Sequence, residues 1–235
     1  MKVEIWSDVM CPFCYIGKRK FEAALAEFPQ RDKIQVEWKS YQLRPDMVTQ
    51  PEKTIHHFLA EHQGMDLDAA KEMNDRVVEM ARTVGLDFQL DRSVVANSFQ
   101  AHQFAHFAKR HGKQGEAEEA LFRAYFTDGK NIDDRDTLLE LGAEIGLDTT
   151  QLADSLEAQA FANEVRQDIE EARKIGVRGV PFFVFNRAYG VSGAQESEAF
   201  LQTLQRSYAE WAKENPELSL NVSSGPSCTP DGTCD

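Results

Sequence analysis

The sequence predicts an α/β fold carrying a large all-helical insertion, and three observations predict it. Residues 2–43 read strand, helix, strand; residues 51–175 carry helical spacing; strands return after Gly176, ahead of one last amphipathic helix. The two outer parts, residues 1–50 and 176–214, then form one sheet-containing domain, with the helical insertion at 51–175 and a flexible tail at 215–235.

Each element has a local reason. Lys2 to Ser7 alternates polar and apolar and reads as a short strand, followed by Cys11-Pro12-Phe13-Cys14 and a helical stretch from Tyr15 to Phe28 that Pro29 stops. Ile34 to Leu43 alternates strictly and makes a second strand, so the opening is a β-α-β unit of the kind that builds a parallel pair. Helices are expected near 52–63, 67–84, 94–111, 115–127, 135–145, 150–157 and 160–175, separated at Gly64, Gly85, Gly112, Gly129 and Gly146. Phe182 to Asn186 and Tyr189 to Val191 form strands about a turn at Asn186-Arg187-Ala188, and Glu196 to Lys213 forms the last helix.

With 42% apolar residues in 235, and 23 aromatic rings among them, the chain buries a full core, which excludes intrinsic disorder for most of it. Its 39 acidic residues against 26 basic ones give a net charge of -13, so no basic field gathers phosphates and nucleic acid is not an expected partner. The longest apolar run, Val180 to Phe185, is far below the roughly 18 residues of a membrane span, so no membrane partner is expected. Glu4 and Asp8 interrupt the apolar stretch a secretory signal needs, and the expectation is a cytoplasmic protein.

Four cysteines fall in two pairs, Cys11 with Cys14 and Cys228 with Cys234, too few for a disulfide scaffold at this length. A C-x-x-C between strand and helix sets the first sulfur at the helix N-terminus, where free N–H groups and the helix dipole stabilise a thiolate. Cys11 is thus the expected nucleophile, at the exposed end of the helix. Pro12 suits the first turn, and Cys14 lies shielded one turn on, placed to form a disulfide with Cys11 or to attack a mixed one. The competing readings are a zinc half-site and a pair of inert buried thiols. Zinc needs two more ligands, and the five-residue spacing of Cys228 and Cys234 in a Gly/Pro/Ser-rich tail is not that of a zinc knuckle, so no metal is expected. Those two cysteines are instead a candidate redox shuttle that exchanges with Cys11, against the plainer reading of a tail without that role.

Downstream, Gly179-Val180-Pro181-Phe182 places a proline at a strand start, a candidate cis peptide. With the C-P-x-C after the first strand, it gives the chain a resemblance to the DsbA family of thioredoxin-fold thiol:disulfide oxidoreductases. The resemblance implies a thioredoxin fold with a helical insertion and a Val180-Pro181 loop that faces the active cysteines and presents substrate backbone, with Pro12 and Phe13 beside it. Ser7-Asp8-Val9-Met10-Cys11-Pro12-Phe13-Cys14-Tyr15-Ile16-Gly17 is similar to the FrnE-like, cytoplasmic branch. A neighbouring branch, the 2-hydroxychromene-2-carboxylate isomerases and kappa-class glutathione transferases, shares the layout but has Ser where Cys11 stands.

Periplasmic DsbA proteins have His where Phe13 stands, and Phe cannot donate to a thiolate. The implied potential moves from DsbA's, near -120 mV, toward thioredoxin's, near -270 mV. Asp8 pushes the same way if it points inward; otherwise it is a solvated strand-end carboxylate. His102 and His106 read as an exposed or core-edge pair, His56-His57 as solvated, and Glu116 to Glu119 and Asp133 to Asp136 as solvated faces. Phe99, Phe104, Phe107, Phe122, Tyr125 and Phe126 read first as the core of the insertion and second as a substrate groove.

The leading expectation is therefore a reductase or isomerase of disulfides in proteins or small molecules, with no cofactor beyond its redox-active disulfide and with glutathione or a thioredoxin system as reductant. Two alternatives stand beside it: a glutathione-dependent isomerase related to 2-hydroxychromene-2-carboxylate isomerase, and a redox-regulated chaperone-like binding protein.

Overall fold

The computed structural model describes residues 1–216. Cys228 and Cys234, the candidate shuttle, lie outside the described residues.

Strands β1 (Lys2–Ser7) and β2 (Gln35–Ser40) pair in parallel around helix α1 (Pro12–Glu27). β5 (Phe182–Phe185) runs antiparallel to β1, and β6 (Tyr189–Ser192) antiparallel to β5, so one four-stranded sheet has the order β2-β1-β5-β6. The strand nearest the N-terminus is thus central, and its alternating sequence is buried on both faces. On one face Phe21 of α1 packs on Phe183 and on Phe200 of α9 (Ser197–Glu214), with ring centroids 5.5 and 5.8 Å apart. On the other face Trp6, Val184 and Val177 enclose Ala172 of α8 (Ala162–Lys174). The β5–β6 turn holds Asn186 and Arg187 at φ 50° and 56°, the mirror-image turn that suits the twist of a hairpin.

Between the two halves of the sheet lie α2 (Ile55–Gln63), α3 (Leu67–Arg82), α4 (Phe99–Arg110), α5 (Gln114–Phe126), α6 (Arg135–Glu144), α7 (Thr149–Glu157) and α8. Side chains of Asp66, Asp134 and Asp148 accept hydrogen bonds from the first-turn N–H groups of α3, α6 and α7, which fixes where these helices begin. The segment is not wholly helical. β3 (Gln50–Thr54) and β4 (Val94–Val95) form a small antiparallel pair, so the helices expected from 52 and 94 start instead at Ile55 and Phe99. Val94 and Val95 are adjacent β-branched residues that pair more readily than they wind, and helical spacing in their neighbours masks that preference.

Two further boundaries bear on the site. The first helix starts at Pro12 rather than Tyr15, because proline in the first turn lacks only an N–H that the helix does not use. The second strand ends at Ser40 rather than Leu43, because Tyr41 and Leu43 direct backbone groups to His102 and Asp8.

Candidate active site

Cys11 is the residue that caps α1, with extended backbone (φ -90°, ψ 112°) and no capping bond of its own. Its N–H donates to the Asp8 carbonyl and its carbonyl accepts from Cys14 N–H, both at 3.0 Å, which folds Cys11 to Cys14 into one tight turn. Both cysteines are free thiols. The Cys11 thiol points at the Val180 carbonyl, 3.6 Å away, so a strand entrance 169 residues downstream forms the opposite wall. The Val180–Pro181 peptide bond is cis, and the Pro181 carbonyl accepts from Gly193 N–H at 2.8 Å, tying this loop to the end of β6. Gly17 permits the close approach of α1: a Cβ there would stand 3.0 Å from the Pro181 ring.

Cys11 is not at an exposed end. It is 4% exposed and Cys14 1%, because the loop at Val180 and Pro181 covers the turn. Phe13 between them is 41% exposed and makes the outer surface of the turn, with Pro12 half-buried beside it. The two sulfurs differ in setting. Burial pushes the Cys14 thiol well above the ordinary range, and the hydrogen bond and charge of Cys11 push the same way, while Ser7 and the Asp8 backbone only partly oppose them. Cys14 therefore keeps its proton at neutral pH.

Several polar side chains whose placement the sequence left open or set at the surface are buried here. Asp8 is wholly buried; its carboxylate accepts from Leu43 N–H at 2.7 Å and stands 3.6 Å from His102 Nε2. His102 and His106 lie inside, not at an edge, because residues 101–108 of α4 are buried on every side of the helix, polar positions included. His106 meets Asp168 at 3.0 Å. His56 is buried between Asn74 and Asp91, whereas His57 is exposed as expected.

The acidic run on α5 divides in two. Glu118 is 4% exposed, whereas Glu119 accepts from Tyr15 Oη and Lys18 Nζ, each at 2.6 Å, and from Arg19. Burial opposes the Glu119 charge, but Arg19, Lys18 and Tyr15 outweigh it and hold its pKa at about 2. Tyr15, next to Cys14, also stacks on Phe122 at 4.9 Å, so the helix that carries the cysteines is pinned to the helical segment by a ring and an ion cluster together. Of the aromatic set, Phe104, Phe107, Phe122, Tyr125 and Phe126 are core, whereas Phe99 lines an open groove of about 860 Å³ between the 42–49 segment and α8.

The burial of Glu118 had a signal in the sequence. It lies four and seven residues before Phe122 and Tyr125, on the stripe that faces the core. Asp8 and His102 had none that spacing alone would show.

Comparison with known proteins agrees with this fold. A probable DsbA oxidoreductase from Streptomyces coelicolor is 36% identical and superposes with a TM-score of 0.82, over 100% of this chain and 98% of that one. An uncharacterised Bacillus subtilis protein, YwbO, is 27% identical over 206 residues, 84% of this chain and 92% of that one. The fold is also that of the cytosolic disulfide reductase DsbM from Pseudomonas aeruginosa, at 19% identity and a TM-score of 0.61, covering 92% of this chain and 98% of DsbM, which has also been solved with glutathione. The family model for the DSBA-like thioredoxin domain matches residues 2–205, and the chain belongs to that family.

Proposed function

We propose that the protein is a cytoplasmic thiol:disulfide oxidoreductase of the FrnE-like branch, acting through Cys11-Pro12-Phe13-Cys14 as a reductase or isomerase of disulfides. The observation that carries this reading is the opposition of the Cys11 thiol, at the start of α1, to the Val180 carbonyl, with protonated Cys14 one turn behind. The Cys11 thiolate attacks one sulfur of a substrate disulfide, the other sulfur leaves as a thiolate, and a mixed disulfide on Cys11 results. Cys14 loses its proton and attacks the Cys11 sulfur, and the second substrate thiolate leaves. The Cys11–Cys14 disulfide is then returned to the dithiol by two thiols. The DsbM structure with glutathione supports glutathione as their source, and no other cofactor is required. Val180 and Pro181 offer backbone to the substrate, and Phe13 and Pro12 offer an apolar contact beside it.

Trapping tests this reading. In Cys14→Ser with Cys228 and Cys234 also changed to Ser, oxidised glutathione should leave one glutathione on Cys11, detectable by mass, because no other thiol remains to release it. Absence of the adduct, or its appearance on a residue other than Cys11, would defeat the assignment of roles.

A second expectation concerns Phe13. Phe13→His places a hydrogen-bond donor next to the Cys11 sulfur, stabilises the reduced form and should raise the reduction potential, by about 30 mV for each 1.4 kcal/mol gained. Equilibration in glutathione buffers measures it, and an unchanged or lower potential would count against the role given to this position.

A further inference from the structure

One cation stands beside the reacting sulfur with nothing to neutralise it. Arg178 lies two residues before Val180, whose carbonyl is 3.6 Å from the Cys11 thiol, so its Cα is within about 7 Å of that residue and its side chain is long enough to reach the space in front of the sulfur. Its backbone is held on both sides. Val177 before it is buried with Trp6 and Val184 and donates its N–H to the Ala172 carbonyl at 2.9 Å, and the loop after it is tied through Pro181 to Gly193. The Arg178 side chain is exposed and, among the described residues, makes no hydrogen bond, ion pair or ring contact.

The charge around it is unevenly distributed. The chain carries a net -13, yet the two segments that wall the Cys11 thiol, residues 9–21 and 172–195, contain no Asp or Glu. Their other cations are engaged. Lys18 and Arg19 are paired with Glu22 and Glu119, Lys20 with Glu196, and Arg187 with Glu4 and Glu171. Arg173 and Lys174, at the end of α8, share Glu170 at 3.8 Å. Among the described residues Arg178 is therefore the uncompensated charge on these walls, and in an otherwise acidic protein it draws anions to this spot and not to the rest of the surface.

We propose that Arg178 is a specificity-determining residue that binds a carboxylate next to the sulfur of the incoming disulfide, so that the site takes small anionic disulfides of the glutathione disulfide class ahead of neutral or cationic ones. The inference rests on the proposed role of Cys11. In glutathione the glycine carboxylate follows the cysteine directly, about 5 Å from its Cα along an extended chain. A cysteine whose backbone runs antiparallel to Val180 thus carries that carboxylate toward Arg178, where a guanidinium fork matches its two oxygens. No proton or electron moves in this contact, and the exchange steps are those given above.

Single-turnover oxidation tests the assignment, in full-length protein with Cys228 and Cys234 changed to Ser so that only Cys11 and Cys14 react. Reduced protein is mixed with glutathione disulfide, with the neutral 2-hydroxyethyl disulfide or with the cationic cystamine, quenched and alkylated, and the Cys11–Cys14 disulfide is counted by mass against time. In Arg178→Ala the rate with glutathione disulfide relative to that with 2-hydroxyethyl disulfide should fall by about tenfold, the scale of one charge-assisted hydrogen bond. Arg178→Lys should keep most of the preference, and Arg178→Glu should reverse it in favour of cystamine. Added salt should narrow the preference in the native protein but not in Arg178→Ala. Glutathione disulfide esterified at its glycine carboxylates should react with the native protein as the unmodified disulfide reacts with Arg178→Ala, with no further loss when the two changes are combined.

An unchanged ratio in Arg178→Ala overturns the proposal. Equal slowing of all three disulfides overturns it too, because Arg178 would then act on the Cys11 thiolate and not on the substrate. The same holds for an equal fall of the ratio in the Arg173→Ala, Lys174→Ala double variant, which would assign the preference to the whole patch, and for ester and Arg178→Ala effects that multiply. Failure of the underlying reading looks different, because none of the three disulfides would then oxidise the Cys11–Cys14 pair of the native protein.

Discussion

Cys11→Ser should abolish disulfide exchange, lowering the turnover of glutathione disulfide or of a reducible protein disulfide by at least about three orders of magnitude, the scale on which removal of a nucleophile acts. A serine hydroxyl at the start of α1 meets the same N–H groups and dipole as the thiol, but it is not ionised near neutral pH and it cannot form the S–S bond that carries the electrons. Cys14 does not substitute for it. Cys14 is 1% exposed, and its burial keeps it protonated. Fold and stability should change little, since the contacts of the Cys11 side chain, with the Val180 carbonyl and with the Cys14 thiol, are ones a hydroxyl can also make. Steady-state reduction assays together with thermal unfolding check both halves, and retained turnover in a folded Cys11→Ser protein would remove the nucleophile from the mechanism.

The largest stability effect is expected at Asp168. Its carboxylate accepts from Lys39 Nζ at 2.9 Å and from Ser40 N–H and His106 Nε2, each at 3.0 Å, while its carbonyl accepts from the Trp6 indole at 2.9 Å. One side chain of α8 thus secures the end of β2 and the middle of α4. Asp168→Ala keeps the carbonyl bond but leaves a buried ammonium, imidazole and backbone N–H facing an apolar methyl. Removal of one member of a buried pair costs about 3–5 kcal/mol, and Glu37 and Glu171, 3.6 and 3.3 Å from Lys39, bring the expectation to the lower end, about 3 kcal/mol.

Burial works against the Asp168 charge, but His106, Lys39 and the Ser40 N–H outweigh it and hold the carboxyl below its ordinary 3.8. A carboxyl lowered on folding stabilises above its unfolded pKa and loses that contribution as pH falls through the folded one. The gap between native and Asp168→Ala unfolding free energies should therefore be full at pH 7 and narrow in acid below about pH 4. Urea unfolding at several pH values measures it, and a loss under about 1 kcal/mol at neutral pH would mean the cluster is only surface-like pairing. Exchange activity should fall too, because α8 ends at Lys174, seven residues before Pro181, and sets where the Val180 carbonyl stands.

Much of the chemistry was legible because it is local. Strand, C-P-x-C and helix follow one another within 27 residues, and the thiol at a helix start is dictated by the turn that Pro12 opens. At Val180-Pro181 the cis peptide was a candidate from the residues themselves, but its place opposite the cysteines was legible only through resemblance. Nothing in the spacing of residues 176–186 says that their carbonyl will face a sulfur.

The sequence by itself determined the alternation of strands and helices, the pairing of Cys11 with Cys14 in one turn, and the breaks at Gly64, Gly85, Gly112, Gly129 and Gly146, all of which take positive φ. These depend on backbone preference and on period, which neighbouring residues fix among themselves. The tertiary structure decided which charges are buried. His102 and Glu118 read as edge or surface positions along the chain and Asp8 as open between inside and outside, yet each of them, like Asp168, is enclosed because elements distant in sequence pack over it. It also decided that Cys11 is covered and that Val94 pairs with Thr54. The physical reason is that local propensity spans a few residues, whereas the cost of placing a charge depends on every atom around it, and only the assembled layers supply those atoms.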